Sequence, residues 1–239
     1  MALSALGQNV LLLDADLGLA NVDVLLGLRP LRNLSHVIDG AAELADIIVE
    51  APLGLRIVPG ASGLTRMSGL SAHAHHGIIA GFADLSSGLD TLVVDTAAGI
   101  SEAVLNFALA SQEIVVVVCD EPASLTDAYA LVKVLHRHHG RDRFRLVANM
   151  VSDHAAGRQL YLKMLRVCDQ YLDISLDFMG AVPLDPRLRE AVQRQRAVVE
   201  AFPSAPASKA LRNLADTAER WPWPQAGGHM EFFIERLIE

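Results

Sequence analysis

Short apolar runs, each ending in a polar residue and each followed by a turn or a helix-like stretch, restrict this chain to few folds. They are NVLLLDAD (Asn9 to Asp16), LRIVPGA (Leu55 to Ala61), TLVVDTAAG (Thr91 to Gly99), EIVVVVCDE (Glu113 to Glu121), FRLVANM (Phe144 to Met150) and FMGAVPLD (Phe178 to Asp185). Helical patterns fall between them, over Leu70 to Ser86, Ser101 to Ala110, Ser124 to His139, Asp153 to Leu172 and Asp185 to Gln195. Strand alternating with helix predicts an α/β fold with a doubly wound, mostly parallel sheet. The composition, 51% hydrophobic and 5% aromatic with many Val, Leu and Ala, suits strands buried on both faces.

Right-handed crossovers place the carboxyl ends of such strands along one edge of the sheet, where open α/β sheets bind ligands. Asp14, Asp16, Asp95, Asp120, Asn149 and Asp185 are therefore expected to gather there. Any one of them could instead be a helix cap or a turn former. Together, several with glycine close behind, they favour a site.

Side chains two apart in an extended segment point the same way, so Asp14 and Asp16 can face a common volume. Asp95 closes TLVVD, an arrangement in which a carboxylate holds Mg²⁺, usually through water, because Mg²⁺ dehydrates reluctantly. The following TAAGIS supplies a glycine turn whose backbone can sense a terminal phosphate. Asn149 offers a donor and an acceptor side by side, a match for the N6 and N7 edge of adenine.

The stretches LLLDADLGLANVDVLLGL, LVVDTAAGIS, DEPASLTDAYALVKVL, VANMV and GAVPLDPRLREAV resemble, in this order, the MinD/ParA family of deviant Walker ATPases beyond its phosphate loop. ANVD, DTAAGIS and SLTDAYALVK resemble most the flagellar-number regulator branch, FlhG, also called FleN or YlxH. The resemblance spans about Asn9 to Ala201 and implies a P-loop NTPase fold of the SIMIBI, MinD-like class. It implies that Asp16 is the switch I carboxylate that orients or activates the attacking water, with Asp14 its partner at the strand end. Asp95 is then the Walker B carboxylate behind Mg²⁺, Gly99 lies in switch II, Asn149 reads adenine, and Pro183 to Asp185 form the loop around the base. The implied cofactors are ATP and Mg²⁺, and the implied reaction is hydrolysis of ATP to ADP, which needs positioning and charge stabilisation more than covalent chemistry. The implied partners are the SRP-type flagellar GTPase FlhF, a flagellar transcriptional activator, flagellar switch components and a second copy of the chain in an ATP-dependent homodimer.

No K-G-G-x-G-K-[ST] stretch occurs in the chain, and none of its lysines, Lys133, Lys163 and Lys209, follows a glycine. ALSALGQNV resembles only the end of the helix that follows such a loop, so a truncated start that lacks the first, P-loop strand is expected. The loop's amides, lysines and hydroxyl neutralise the triphosphate. Without them ATP binding is expected to be weak or absent. Because that strand is central in the family's sheet, its neighbours are expected to carry unpaired backbone beside an open groove.

The formal charge of −8 and the spread of the arginines argue against direct nucleic-acid binding. Cys119 and Cys168 suggest buried thiols in a reducing compartment rather than a disulfide framework. The sequence shows neither a secretory signal nor an 18-residue apolar span, so a cytoplasmic chain is expected. His73 to His76 and His136 to His139 lack Cys or carboxylate partners at zinc spacing and read as surface-helix residues, the second group favoured by the helix dipole before Gly140.

Residues 1–220 are expected to form the nucleotide-binding domain, and residues 221–239 a linker and an amphipathic helix. In the latter, Met230, Phe233, Ile234, Leu237 and Ile238 share one face. By resemblance this helix is a peripheral contact for the inner membrane; packing on its own domain or on a dimer mate is the alternative. Glu231, Glu235 and Glu239 weigh against anionic lipid. Two functional readings compete: an ATP-dependent switch, and a nucleotide-independent interaction protein that keeps the family's partner surfaces. Other MinD/ParA-type positioning ATPases, from plasmid partition or cellulose synthesis, share the fold but not the flagellar-type motifs.

Overall fold

The computed structural model describes residues 1–16, 19–60, 81, 82, 85 and 88–221. Most of the helix expected over Leu70 to Ser86, the histidines at 73–76 and the tail from residue 222 lie outside the described residues.

The apolar run after Asn9 forms β1 (Val10–Ala15), almost wholly buried, as a strand covered on both faces must be. It pairs in parallel with β3 (Arg56–Val58) on one side and β4 (Thr91–Thr96) on the other. A two-residue strand, β2 (Val49–Glu50), closes the far edge antiparallel to β3. A second, all-parallel sheet has the order β5 (Val115–Val118), β6 (Arg143–Val151), β7 (Ser175–Pro183). The expected α/β, mostly parallel architecture is thus present.

The hydrogen-bonded ladder breaks between β4 and β5. Val93 of β4 is 38% exposed, and Val115 and Val117 of β5 are 39% and 56% exposed. Valines in central parallel strands are normally covered, so these side chains mark an open groove between β4 and β5 among the described residues.

Short helices surround the first sheet: α1 (Ala2–Ala5), α2 (Val22–Leu25), α3 (Leu34–Ile38) and α4 (Leu44–Ile47). Leu11 and Leu13 face a core with Leu34, Leu44, Phe82 and Phe107, while Val10 and Ile57 face Val22 and Leu55 on the other side. The helix after β4, α5 (Glu102–Ala110), starts at Ser101, whose hydroxyl accepts the Val104 N–H. Its Phe107 and Ala110 belong to the first core and its Leu105 and Leu109 pack against the second, so α5 ties the two sheets together.

Longer helices flank the second sheet. In α6 (Pro122–His139), Pro122 takes the first turn, where its missing N–H is harmless, and Gly140 at φ 68° ends the helix. His136 to His139 occupy its last turn. In α7 (His154–Tyr171), the Asp153 carboxylate caps the Ala156 N–H. Phe144, Leu146 and Ala148 of β6 meet Leu135, Leu160 and Met164 of these helices. The opposite face meets α8 (Pro186–Gln193), which falls within the helical pattern expected over Asp185 to Gln195, and α9 (Val198–Ala201) and α10 (Pro206–Glu219), which lie beyond the last helical pattern read in the sequence. Helices on both faces make the sheet doubly wound.

Candidate functional site

Asp14 and Asp95 are direct neighbours in the β1–β4 register, which places both carboxylates on one face at the carboxyl edge of the sheet. Asp16 follows one residue beyond β1, and its Oδ1 accepts the Leu19 N–H at 3.0 Å. The expected meeting of Asp14, Asp16 and Asp95 therefore takes place. Its electrostatic signature is the Asp95 carboxyl, whose pKa is raised first by desolvation and then by the negative charges of Asp14 and Asp16. Asp95 is nonetheless solvent-exposed, so the desolvation is partial and water or a cation can reach it.

The carboxylates differ in how much of them is free. Asp14 is only 2% exposed, and its oxygens accept backbone N–H groups from Asp16 at 3.3 Å, Asn21 at 3.0 Å and Val22 at 3.1 Å. Among the described residues no three His, Cys, Asp or Glu side chains converge as a direct metal-ligand set. The donor set fits a hydrated Mg²⁺ at Asp95, because this ion takes one or two carboxylates and keeps its waters.

Gly99 lies between β4 and α5 with φ +100°, a left-handed conformation that side chains other than glycine's resist, and a Cβ there would meet nothing within 4 Å. Glycine is required for the turn and not for space. Ile100 beside it is exposed.

Asn149 stands near the end of β6, where its Oδ1 accepts the Met150 N–H at 3.0 Å; Met150 is in the left-handed region at φ 55° and is exposed. A carboxamide oxygen has a second lone pair and its NH₂ two donors, so this bond leaves capacity for a base edge. Pro183 ends β7 opposite Val151, and the Leu184 N–H donates to the Val151 carbonyl at 2.8 Å, which ties residues 183–185 to the strand carrying Asn149. Asp185 is buried and capped onto two helices: Oδ1 accepts the Arg187 N–H of α8 at 2.8 Å, and Oδ2 the Ala207 N–H of α10 at 2.9 Å. Its carboxylate holds the shape of the loop from beneath.

Asp120 also reaches this edge and forms an exposed ion pair with Lys163 of α7 at 2.7 Å. Sequence reasoning did not single out Lys163 as a partner, because 43 residues separate the two and nothing local links them. It also passed over Gly60, which ends the β3 run. A Cβ on Gly60 would lie 2.5 Å from the Asp14 carbonyl oxygen and 2.9 Å from the Ala20 Cβ. The VPG sequence signals a turn there but not this close approach.

Leu19, Ile100 and Leu184, each beyond the end of a different strand, and Met150, near the end of β6, are all exposed and line the same edge with apolar surface. Among the described residues no helix is long and apolar enough to cross a membrane.

The ParA family model, described as NUBPL iron-transfer P-loop NTPase, matches residues 75–219. Antiactivator FleN of Pseudomonas aeruginosa is 53% identical over 240 residues, covering 100% of this chain and 86% of the relative. Flagellum site-determining protein YlxH of Helicobacter pylori is 33% identical over 216 residues, covering 87% of this chain and 71% of the relative. Among solved structures, MinD in the MinC:MinD cell division complex of Aquifex aeolicus superposes with a TM-score of 0.69 at 24% identity, covering 94% of this chain and 89% of that one. MinD of Pyrococcus horikoshii, complexed with Mg-ADP, superposes with a TM-score of 0.68 at 23% identity, over 92% and 86% of the two chains. These structures share the fold, and the sequence relatives set the branch: this chain belongs to the MinD/ParA family of P-loop NTPases, alongside FleN and YlxH.

Proposed function

We propose that this chain is a flagellar-number regulator of the FlhG type, an ATP-dependent switch in which Asp16, Asp95, Gly99, Asn149 and the loop 183–185 serve the nucleotide. The observation that carries the reading is the in-register meeting of Asp14 and Asp95, with Asp16 beyond, in a chain 53% identical to FleN along its whole length. Asp16 orients the attacking water. Asp95 would hold Mg²⁺, and Gly99 would let the turn behind it follow the terminal phosphate. Asn149 meets the base, enclosed by Pro183 and Leu184 while Asp185 braces the loop. Bound Mg²⁺ supplies positive charge that offsets the triphosphate and the three carboxylates.

The exposed apolar residues around the site suit an edge that a second copy covers when nucleotide is bound. Binding of FlhF, a flagellar transcriptional activator or switch components to such a dimer, with peripheral membrane contact, would couple nucleotide state to flagellar placement. The opposing observation is the break between β4 and β5 among the described residues. The second reading, a nucleotide-independent interaction protein, starts from it.

Calorimetric titration with Mg·ATP, paired with a phosphate-release assay, separates the two. The switch reading expects saturable binding and slow hydrolysis, with Asp16→Ala lowering turnover by about a hundredfold or more while binding persists. No heat and no phosphate release, in a chain that still captures purified FlhF or the activator, would overturn the switch reading in favour of the second.

A further inference from the structure

The three carboxylates at the edge have unequal freedom. Of the four lone-pair sites on the Asp14 carboxylate, three face backbone N–H groups, those of Asp16, Asn21 and Val22, and the residue is 2% exposed. Amides at Asn21 and Val22 start α2 and have no helical partners of their own, so Asp14 caps that helix from a strand seven residues earlier. Gly60 presses on the same point from the turn after β3, with room for no Cβ between the Asp14 carbonyl and Ala20. Val22 is buried below, beside Val10 and Ile57.

From this we infer that Asp14 is a positioning residue: it fixes the backbone on both sides of the switch carboxylate, at Asp16 and at Asn21–Val22, and thereby sets where Asp16 stands, without contacting phosphate or metal. An ionised carboxylate suits this work because all three partners are donors. Asparagine is nearly the same size but replaces one acceptor oxygen with an NH₂ that must face N–H groups. Gly60 is the second half of the device, and Gly60→Ala displaces the same backbone from the opposite side.

This inference rests on the switch reading for its functional meaning, but its geometry is tested separately. Residue-resolved amide hydrogen exchange by NMR is compared for the full chain, Asp14→Asn and Gly60→Ala. Asp14→Asn is expected to speed exchange at Asp16, Asn21 and Val22 by about tenfold or more, with Leu11, Leu13 and the β5–β7 amides changed less than about twofold. Gly60→Ala is expected to perturb the same amides, and the double variant to add little to either single change. Unchanged exchange at these three amides overturns the inference. So does an equal rise throughout β1 and β3, which would make Asp14 a general stabiliser.

Where the chain hydrolyses Mg·ATP, Asp14→Asn is expected to lower kcat about tenfold or more with KM within about twofold, as for a group acting through Asp16. A raised KM with unchanged kcat would show a direct ligand and overturn it. If the unaltered chain releases no phosphate, the switch reading fails, and the exchange pattern still decides whether Asp14 positions Asp16.

Discussion

The two sheets of this protein are held in different ways. The second, β5–β6–β7, lies between helices of 18 residues on one face and α8–α10 on the other, with Phe144, Leu146, Leu160 and Met164 fully buried. The first, which carries Asp14, Asp16 and Asp95, is flanked among the described residues by α5 of nine residues and by α1–α4 of only four or five, too short to persist without tertiary support. There side chain–backbone bonds do much of the ordering: Asp14 gathers α2, and Asn33 caps α3 through the Ser35 N–H. The contrast shows how the fold divides its tasks. Apolar packing over long elements supplies a rigid platform, and polar anchors hold short elements near the site, where small rearrangements remain accessible.

The largest effect is expected where packing dominates. Leu146→Ala empties a site that is 0% exposed between α6 and α7, and should destabilise the protein by about 2–5 kcal/mol in urea unfolding. A loss below about 1 kcal/mol would break the comparison, because the second sheet would then be no better packed than a surface. A smaller effect tests a polar anchor within the same half. Asp185→Ala removes caps from both α8 and α10, at about 0.5–2 kcal/mol each, and should speed amide exchange at Arg187 and Ala207 together. If only one amide responds, the loop is braced on one helix alone.

The smallest effect sharpens the comparison at the site itself. The folded pKa of Asp95 lies above the ordinary carboxylate value, so between the unfolded and folded values the native state binds more proton than the unfolded chain. Its contribution is therefore most favourable below the unfolded pKa of about 4 and is lost as pH rises through the folded pKa. Asp95→Asn should raise the urea midpoint slightly at pH 7, and the gain should shrink on acidification toward pH ~4. Exposure of the side chain keeps the effect small through screening. A lower midpoint at pH 7 would mean that the Asp95 carboxylate is stabilised by its neighbours instead of strained by them.

Much of the site was legible because strand ends in a parallel sheet obey topology. Asp14, Asp16, Asp95, Asp120, Asn149 and Asp185 could be placed on one edge from the runs that precede them. What the residues do there was less legible. Asp14 shares a strand end with Asp16 and looks equivalent in sequence, yet its partners are amides seven and eight residues further on. Asp185 reads as the cap of one helix, and its second helix starts some 20 residues later. The two-residue β2 and the short α3 and α4 lie below the length at which periodicity carries a signal.

The sequence by itself determined the α/β class, the order of strands and helices, the branch of the family and the set of edge carboxylates. These follow from local pattern, chain direction and ordered motifs, all of which are written along one dimension. Tertiary structure decided which side chains, Val93, Val115 and Val117, stand exposed where the ladder breaks among the described residues, and that α5 bridges the two cores across that break. It also decided that Asp14 is satisfied by backbone while the Asp95 carboxyl, exposed at the edge, has its pKa raised by partial desolvation and then by the charges of Asp14 and Asp16. Burial, pairing and the local field depend on which atoms the closed fold brings within a few ångströms, and residue spacing does not encode those distances.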